Sequence, residues 1–286
     1  MMVARSFRTL VILCLLVSLV LALPRRSLAF SERAFAMTIF PLGTIGFTSL
    51  MYYLYKNSPS QRVRGYPENL SQGEYYLALY GGASVMPDQD WTFGQGFRPP
   101  LRGLTAQGVR VQPGVVAGLK FGHFFNALPW FGVEMETNYS RLLVRGQNVP
   151  LSTPLPTGSK GLHIPHDSYY IWCMQSNLVA RAGFRPDKEY PFGRLQPYIG
   201  LGTGLEIIYG FFDSAKNFSL ATLIGLRYMA TANVAVFLEY KFSYQFAVEY
   251  QEKRFPPTQV GTVTFDVPNN RIVLGVAWHF KNLFGN

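Results

Sequence analysis

The stretch His163-Ile164-Pro165-His166-Asp167-Ser168 gathers two imidazoles, a carboxylate and a hydroxyl within six residues. A base beside a hydroxyl, oriented by an acid, is the arrangement that activates a nucleophile for acyl transfer, so His166 and Ser168 are the catalytic candidates. No oxyanion-hole element accompanies them. The plainer reading is a loop whose polar groups meet water or lipid phosphate, and catalysis is not expected. Other chemistry is sparser still. The 4 His and 2 Cys show no pair at metal-ligand spacing. The glycines of Gly200-Leu201-Gly202-Thr203-Gly204 alternate along an extended segment and do not open a helix as a nucleotide loop does. Neither metal nor cofactor is expected.

A second set of residues is suited to electrostatic work. Lys120, Glu134, Glu136, Arg181, Glu206, Arg227, Glu239, Lys241 and Arg271 each fall on the less apolar side of a segment whose polarity alternates. Lys120 opposes Leu119 and Phe121, for example, and Arg271 opposes Ile272 and Leu274. With the more peripheral Glu249 the set holds five charges of each sign. Such a set can pair off, which an enclosed region requires because an unpaired buried charge is strongly unfavourable. Gly118, Gly122, Gly200, Gly202, Gly204, Gly225 and Gly275 share that side and are expected to make room for the long charged side chains.

Strands must position these groups. Between Asn233 and Tyr250 the chain alternates Val234, Val236, Leu238, Tyr240, Phe242, Tyr244, Phe246, Val248 and Tyr250 with a mostly polar set that includes Glu239, Lys241, Ser243, Gln245 and Glu249. Successive strand side chains point to opposite faces, so one wall is apolar and the other charged. That run exceeds the five or six residues typical of a globular strand and suits a wall between lipid and a polar interior. Eight segments share the pattern, at about 73–86, 110–124, 130–144, 168–184, 195–210, 217–229, 233–250 and 269–280. Long connections at 87–109, 145–167 and 251–268 contrast with the tight turns around Asn126-Ala127-Leu128-Pro129 and Thr231-Ala232-Asn233. The expected fold is all-β, an eight-stranded antiparallel up-and-down transmembrane β-barrel. A soluble barrel around a greasy ligand alternates equally well, but its charges face water. Here aromatic residues such as Tyr139, Tyr228, Tyr240 and Trp278 sit on the apolar face, as a membrane girdle needs.

Composition agrees with that fold. The 286 residues include 23 Phe, 17 Tyr and 27 Gly with only 15% charged residues, a balance suited to membrane strands and tight turns. The formal charge of +10 is spread along the chain without a basic run, so nucleic acid is not an expected partner and an anionic lipid surface is. Arg5 and Arg8 precede an apolar run from Leu10 to Leu23, the order of a secretory signal. Residues 1–36 are read as that signal, with cleavage near Ala29 or Ala36. Cys14 lies within it, which leaves Cys173 alone and no intrachain disulfide expected. A second apolar segment, Met37 to Tyr55, has three readings: a membrane-associated helix, a further part of a long leader, or an apolar element packed on the domain. With a polar linker it makes up residues 37–72, the barrel occupies 73–280, and a tail follows at 281–286.

The segments YLALYGGASV, LQPYIGLGTG, ATLIGLRYMATANVAVFLEYKFS and NRIVLGVAWHF resemble the small Gram-negative outer-membrane β-barrel domains of the OmpA and OmpX type. The resemblance implies eight antiparallel strands in the cell outer membrane, inserted by the barrel-assembly machinery through an aromatic last strand ending at Phe280. It implies contact with outer-membrane lipid and lipopolysaccharide. The expected role is structural or surface-interacting, carried by a monomer with a polar, plugged interior. A narrow channel or transporter for small hydrophobic molecules is one alternative. An outer-membrane lipid A hydrolase or acyltransferase built on His166 and Ser168 is the other.

Overall fold

The computed structural model describes residues 74–280 except 126–127, 156–157, 159–160, 185–188, 191, 211–212 and 253–259. The expected signal, the N-terminal apolar segment with its helical reading, the linker and the tail all lie outside the described residues. The strands are β1 (Glu74–Val85), β2 (Gln89–Phe93), β3 (Thr105–Val109), β4 (Val111–Gln112), β5 (Gly114–Phe124), β6 (Phe131–Val144), β7 (Gln147–Pro150), β8 (Gly161–Ile164), β9 (Asp167–Arg181), β10 (Leu195–Tyr209), β11 (Ser214–Met229), β12 (Val234–Glu252) and β13 (Gly261–Phe280).

Eight of these close a ring in the order β1-β5-β6-β9-β10-β11-β12-β13, and β13 returns to β1 with a register running from Tyr75↔Phe280 to Val85↔Asn270. Every neighbouring pair is antiparallel. Closure satisfies the backbone groups that a sheet edge would leave open, which a strand wall in lipid must do. The polarity is inside out. Leu79, Met135, Leu274 and Trp278 are 60–66% exposed on the outer face, while Lys120 and Arg271 are 0–1% exposed within.

The expected segments correspond one to one with the eight ring strands; β9 ends at Arg181, three residues short of the expected 184, and the larger differences fall at the loop end. β13 begins at Gly261, eight residues before the expected start at 269, because Val263, Phe265 and Val267 continue the inward apolar phase against β12. The expected loop 87–109 contains the β2–β3 hairpin, and 145–167 contains the β7–β8 hairpin. Pro and Gly marked these stretches as loops, but Gln89, Trp91 and Phe93 alternate inward with Asp90 and Thr92 outward. β2 pairs with the upper part of β13, and β4 continues β5 against β6 beyond Pro113.

The uninterrupted alternation expected through Tyr250 is broken. Between Gln245 and Val248 the β12 register shifts against β13, and Ala247 adopts φ 47°. Phe246 and Ala247 both face outward, so Val248 and Tyr250 turn into the barrel and Glu249 turns out. The Asp266 carboxylate holds this bulge: its Oδ1 accepts the Ala247 N–H (2.8 Å) and its Oδ2 accepts the Tyr244 hydroxyl (2.8 Å). A bulge of this kind places two residues against one and strengthens the local twist.

Candidate functional site: the charged interior

The inward phases of all eight ring strands bring the charges together in three tiers. The middle tier joins Lys120 of β5 and Lys241 of β12 to Glu134 and Glu136 of β6 and Glu239 of β12. Lys120 Nζ lies 2.7 Å from Glu239, 3.4 Å from Glu134 and 3.9 Å from Glu136. Lys241 Nζ contacts Glu136 directly and lies 3.1 Å from Glu239. Two ammonium groups therefore serve three carboxylates. Tyrosine hydroxyls supply the remaining donors: Tyr76 to Glu134 (2.6 Å), Tyr198 to Glu239 (2.8 Å) and Tyr80 to Glu136. Asn177 donates to Glu134 (2.9 Å) and Asn138 to Glu136 (3.0 Å). Buried carboxylates persist only when their lone pairs are satisfied in this way.

Toward the loop end, Arg271 of β13 donates to Asn138 (2.9 Å) and Ser243 (2.8 Å) and lies 3.8 Å from Glu206 of β10. Gln245 donates to Glu206 at 2.7 Å. At the turn end, Arg181 of β9 contacts Glu74 of β1 and donates to Pro129 O and Gln196 Oε1, both at 3.1 Å. Its guanidinium stacks 3.7 Å from the Phe124 ring centroid. Arg227 of β11 lies over Tyr76 (4.4 Å) and Tyr198 (5.2 Å), and its Nε and Nη1 have no hydrogen-bond partner among the described residues. The surplus carboxylate of the middle tier and the surplus guanidinium of the turn end thus meet through the two tyrosines that touch both.

All nine charged residues read from the alternation are buried, none more than 5% exposed. Glu249 is not among them, since the bulge turns it outward. Glu74 joins the network in its place and also contacts His279. Sequence reasoning missed Glu74, His279, Tyr76 and Tyr80, whereas Tyr198 shares the less apolar side of its segment with Glu206 and is buried as that phase implies. Arg271, Val273, Gly275, Ala277 and His279 share one phase, so His279 was readable; Tyr76 and Tyr80 were hidden because a tyrosine counts as apolar in the alternation. The glycines do not make room for charged side chains as expected. A Cβ at Gly122 would lie 2.2 Å from Tyr76 Cζ, one at Gly118 2.5 Å from Tyr80 Cζ, and one at Gly225 2.3 Å from Tyr198 Cζ. Each of these rings lies flat across its neighbour's glycine and carries its hydroxyl into the middle tier.

Above the charges, the loop end of the interior is apolar. Met86, Trp91, Leu142, Val144, Tyr169, Ile171, Ile208 and Phe265 belong to one buried cluster roofed by the two hairpins. A void of ≈ 10 Å³ remains among them, with Gln89 also in its wall. Gln89 Oε1 and Trp91 Nε1 have no hydrogen-bond partner among the described residues.

The catalytic candidates lie where the chain enters β9. Ser168 faces outward on β9 opposite Leu143, whereas Asp167 faces inward and accepts the Ser168 backbone N–H at 2.7 Å. His166 is exposed, and His163 is held by Asn148 at 3.0 Å. Among the described residues no group of three His, Cys, Asp or Glu has metal-site geometry.

No family model and no curated protein matches the chain. Among solved structures it is similar to the outer membrane protein OprG from Pseudomonas aeruginosa, at 17% identity over 74% of this chain and 99% of that one, with a TM-score of 0.49. It is similar to Neisserial surface protein A, at 14% identity over 72% and 97% with a TM-score of 0.39. It is similar to the attachment invasion locus protein Ail of Yersinia pestis, at 16% identity over 73% and 99% with a TM-score of 0.36. Its own closed ring, antiparallel register and inverted polarity make this chain an eight-stranded up-and-down β-barrel of the outer-membrane type.

Proposed function

We propose that the chain spans the outer membrane of a Gram-negative cell as a monomeric, plugged barrel. Its role in this reading is structural or surface-interacting, without catalysis, and its structured loop end is the part presented outside. The observation that carries this is the middle tier: five charged side chains, each no more than 5% exposed, fill the cross-section. An eight-stranded barrel has an interior just wide enough for side chains, and here they are locked by mutual ion pairs. Lipid and lipopolysaccharide surround the outer face, and the barrel-assembly machinery inserts the chain through β13. The test is heat-modifiable gel migration with circular dichroism of the full chain refolded in detergent. A β-rich protein whose folded band migrates apart from its boiled band supports the reading, and a helix-dominated spectrum without a band shift refutes it.

The apolar loop-end chamber favours a second reading, passage of a small hydrophobic molecule into the barrel above the charges. Gln89 Oε1 and Trp91 Nε1 would meet such a molecule's polar group. The ≈ 10 Å³ void holds at most a water, so entry requires the hairpin roof to shift. Proteoliposomes showing faster uptake of an alkane or aromatic probe than protein-free vesicles would support it, and equal rates would exclude it.

A further inference from the structure

The outer face carries an arginine cluster that the ion-pair network does not use. Continuing the register Val111↔Val144 and Gln112↔Leu143 sets Arg110 opposite Arg145, and both are exposed on the outward phase. The Gln147 carboxamide fixes them side by side: its Oε1 accepts the Arg110 N–H (3.1 Å), and its Nε2 donates to Arg110 O (2.9 Å) and Arg145 O (3.3 Å). Arg141 follows on the same face of β6, two outward positions below, with its guanidinium 5.8 Å from the Tyr170 ring centroid.

Like charges directly opposite one another on a sheet are unfavourable unless an anion intervenes. Among the described residues none of the three arginines has an ion-pair partner. Asp167, opposite Val144, faces the interior. Asp90, on the β2–β3 hairpin, accepts the Gly108 N–H at 2.9 Å. Among the described residues no carboxylate is paired with the cluster, which leaves it open to an anion from outside the chain.

The level of the cluster says which anion. Immediately below Arg141 on the outer face, Tyr139 stacks on Tyr170 (5.7 Å), and exposed Trp172 donates to Thr137 (2.9 Å). Exposed Tyr and Trp at the end of an apolar strand face mark the headgroup level of a membrane. Arg141 to Arg145 spans four residues, about 13 Å along the strand at ~3.3 Å per residue, and so rises through that level. Arginine forks match phosphate oxygens bidentately.

We propose that Arg110, Arg141 and Arg145 form a binding site for the phosphorylated headgroup of an outer-leaflet lipid. The site rests on the outer-membrane reading above. The test uses the full chain in phosphatidylcholine nanodiscs containing phosphorylated lipid A, with tightly bound lipid A counted by native mass spectrometry. Arg110→Gln/Arg145→Gln is expected to lower retention on the order of tenfold, given the loss of two arginine–phosphate contacts. Dephosphorylated lipid A is expected to bring the unaltered protein to the same low value, and millimolar inorganic phosphate is expected not to displace the lipid. Equal retention of phosphorylated and dephosphorylated lipid by the unaltered protein overturns the site, a comparison that needs no variant to fold. Displacement by free phosphate also overturns it, because the cluster would then hold a soluble ion. A heat-modifiable barrel without lipid preference removes this site alone, whereas loss of the band shift removes the outer-membrane reading.

Discussion

Lys120 is the residue on which the middle tier turns, since it alone touches all three of its carboxylates. Lys120→Met leaves Glu134 without an ammonium partner and Glu239 with Lys241 only, and removing one partner of a buried ion pair costs about 3–5 kcal/mol. The expected result is a fall of that size in unfolding free energy, measured by urea titration in lipid vesicles. Gly122→Ala tests the aromatic lid instead. Its Cβ would fall 2.2 Å from the Tyr76 ring, and overpacking of that kind costs about 1–3 kcal/mol. Tyr76→Phe/Gly122→Ala is not expected to relieve it fully, because the ring carbons at 2.2 and 2.3 Å still clash once the hydroxyl at 2.4 Å is removed. The charges were legible in the sequence because a period of two separates them from their apolar neighbours on every strand. Tyr76 and Tyr80 were not, because a ring that packs like an apolar residue and bonds like a polar one carries no mark of which use it serves.

At the scale of elements, strand centres were legible and loop ends were not. Alternation locates a strand wherever one face is apolar, and the ring strands follow it closely. The bulge in β12 could not be foreseen, since Phe246-Ala247-Val248 reads as continuous alternation while two consecutive residues in fact face outward. The signal lay across the sheet, in Asp266. Asp266→Ala removes the acceptor for the Ala247 N–H and the Tyr244 hydroxyl. The expected outcome is faster amide exchange at Ala247 and a loss of about 1–3 kcal/mol, with the turn-end amides unaffected. The hairpins hidden in the long loops were missed for a related reason. Five alternating residues between Pro and Gly look like a loop until their partner strand is known.

For the whole molecule, the interior divides into a charged plug and an apolar upper chamber, and the plug decides what can pass. Its carboxylates and ammonium groups bridge β5, β6 and β12 through the barrel centre, and the three tyrosines extend the network to β1 and β10. A continuous aqueous path would have to break several of these contacts at once. The most direct test is single-channel recording of the refolded full-length protein in planar lipid bilayers. The account predicts no stable conductance above the leak of the bare membrane. Reproducible, long-lived open channels from the unaltered protein would contradict it.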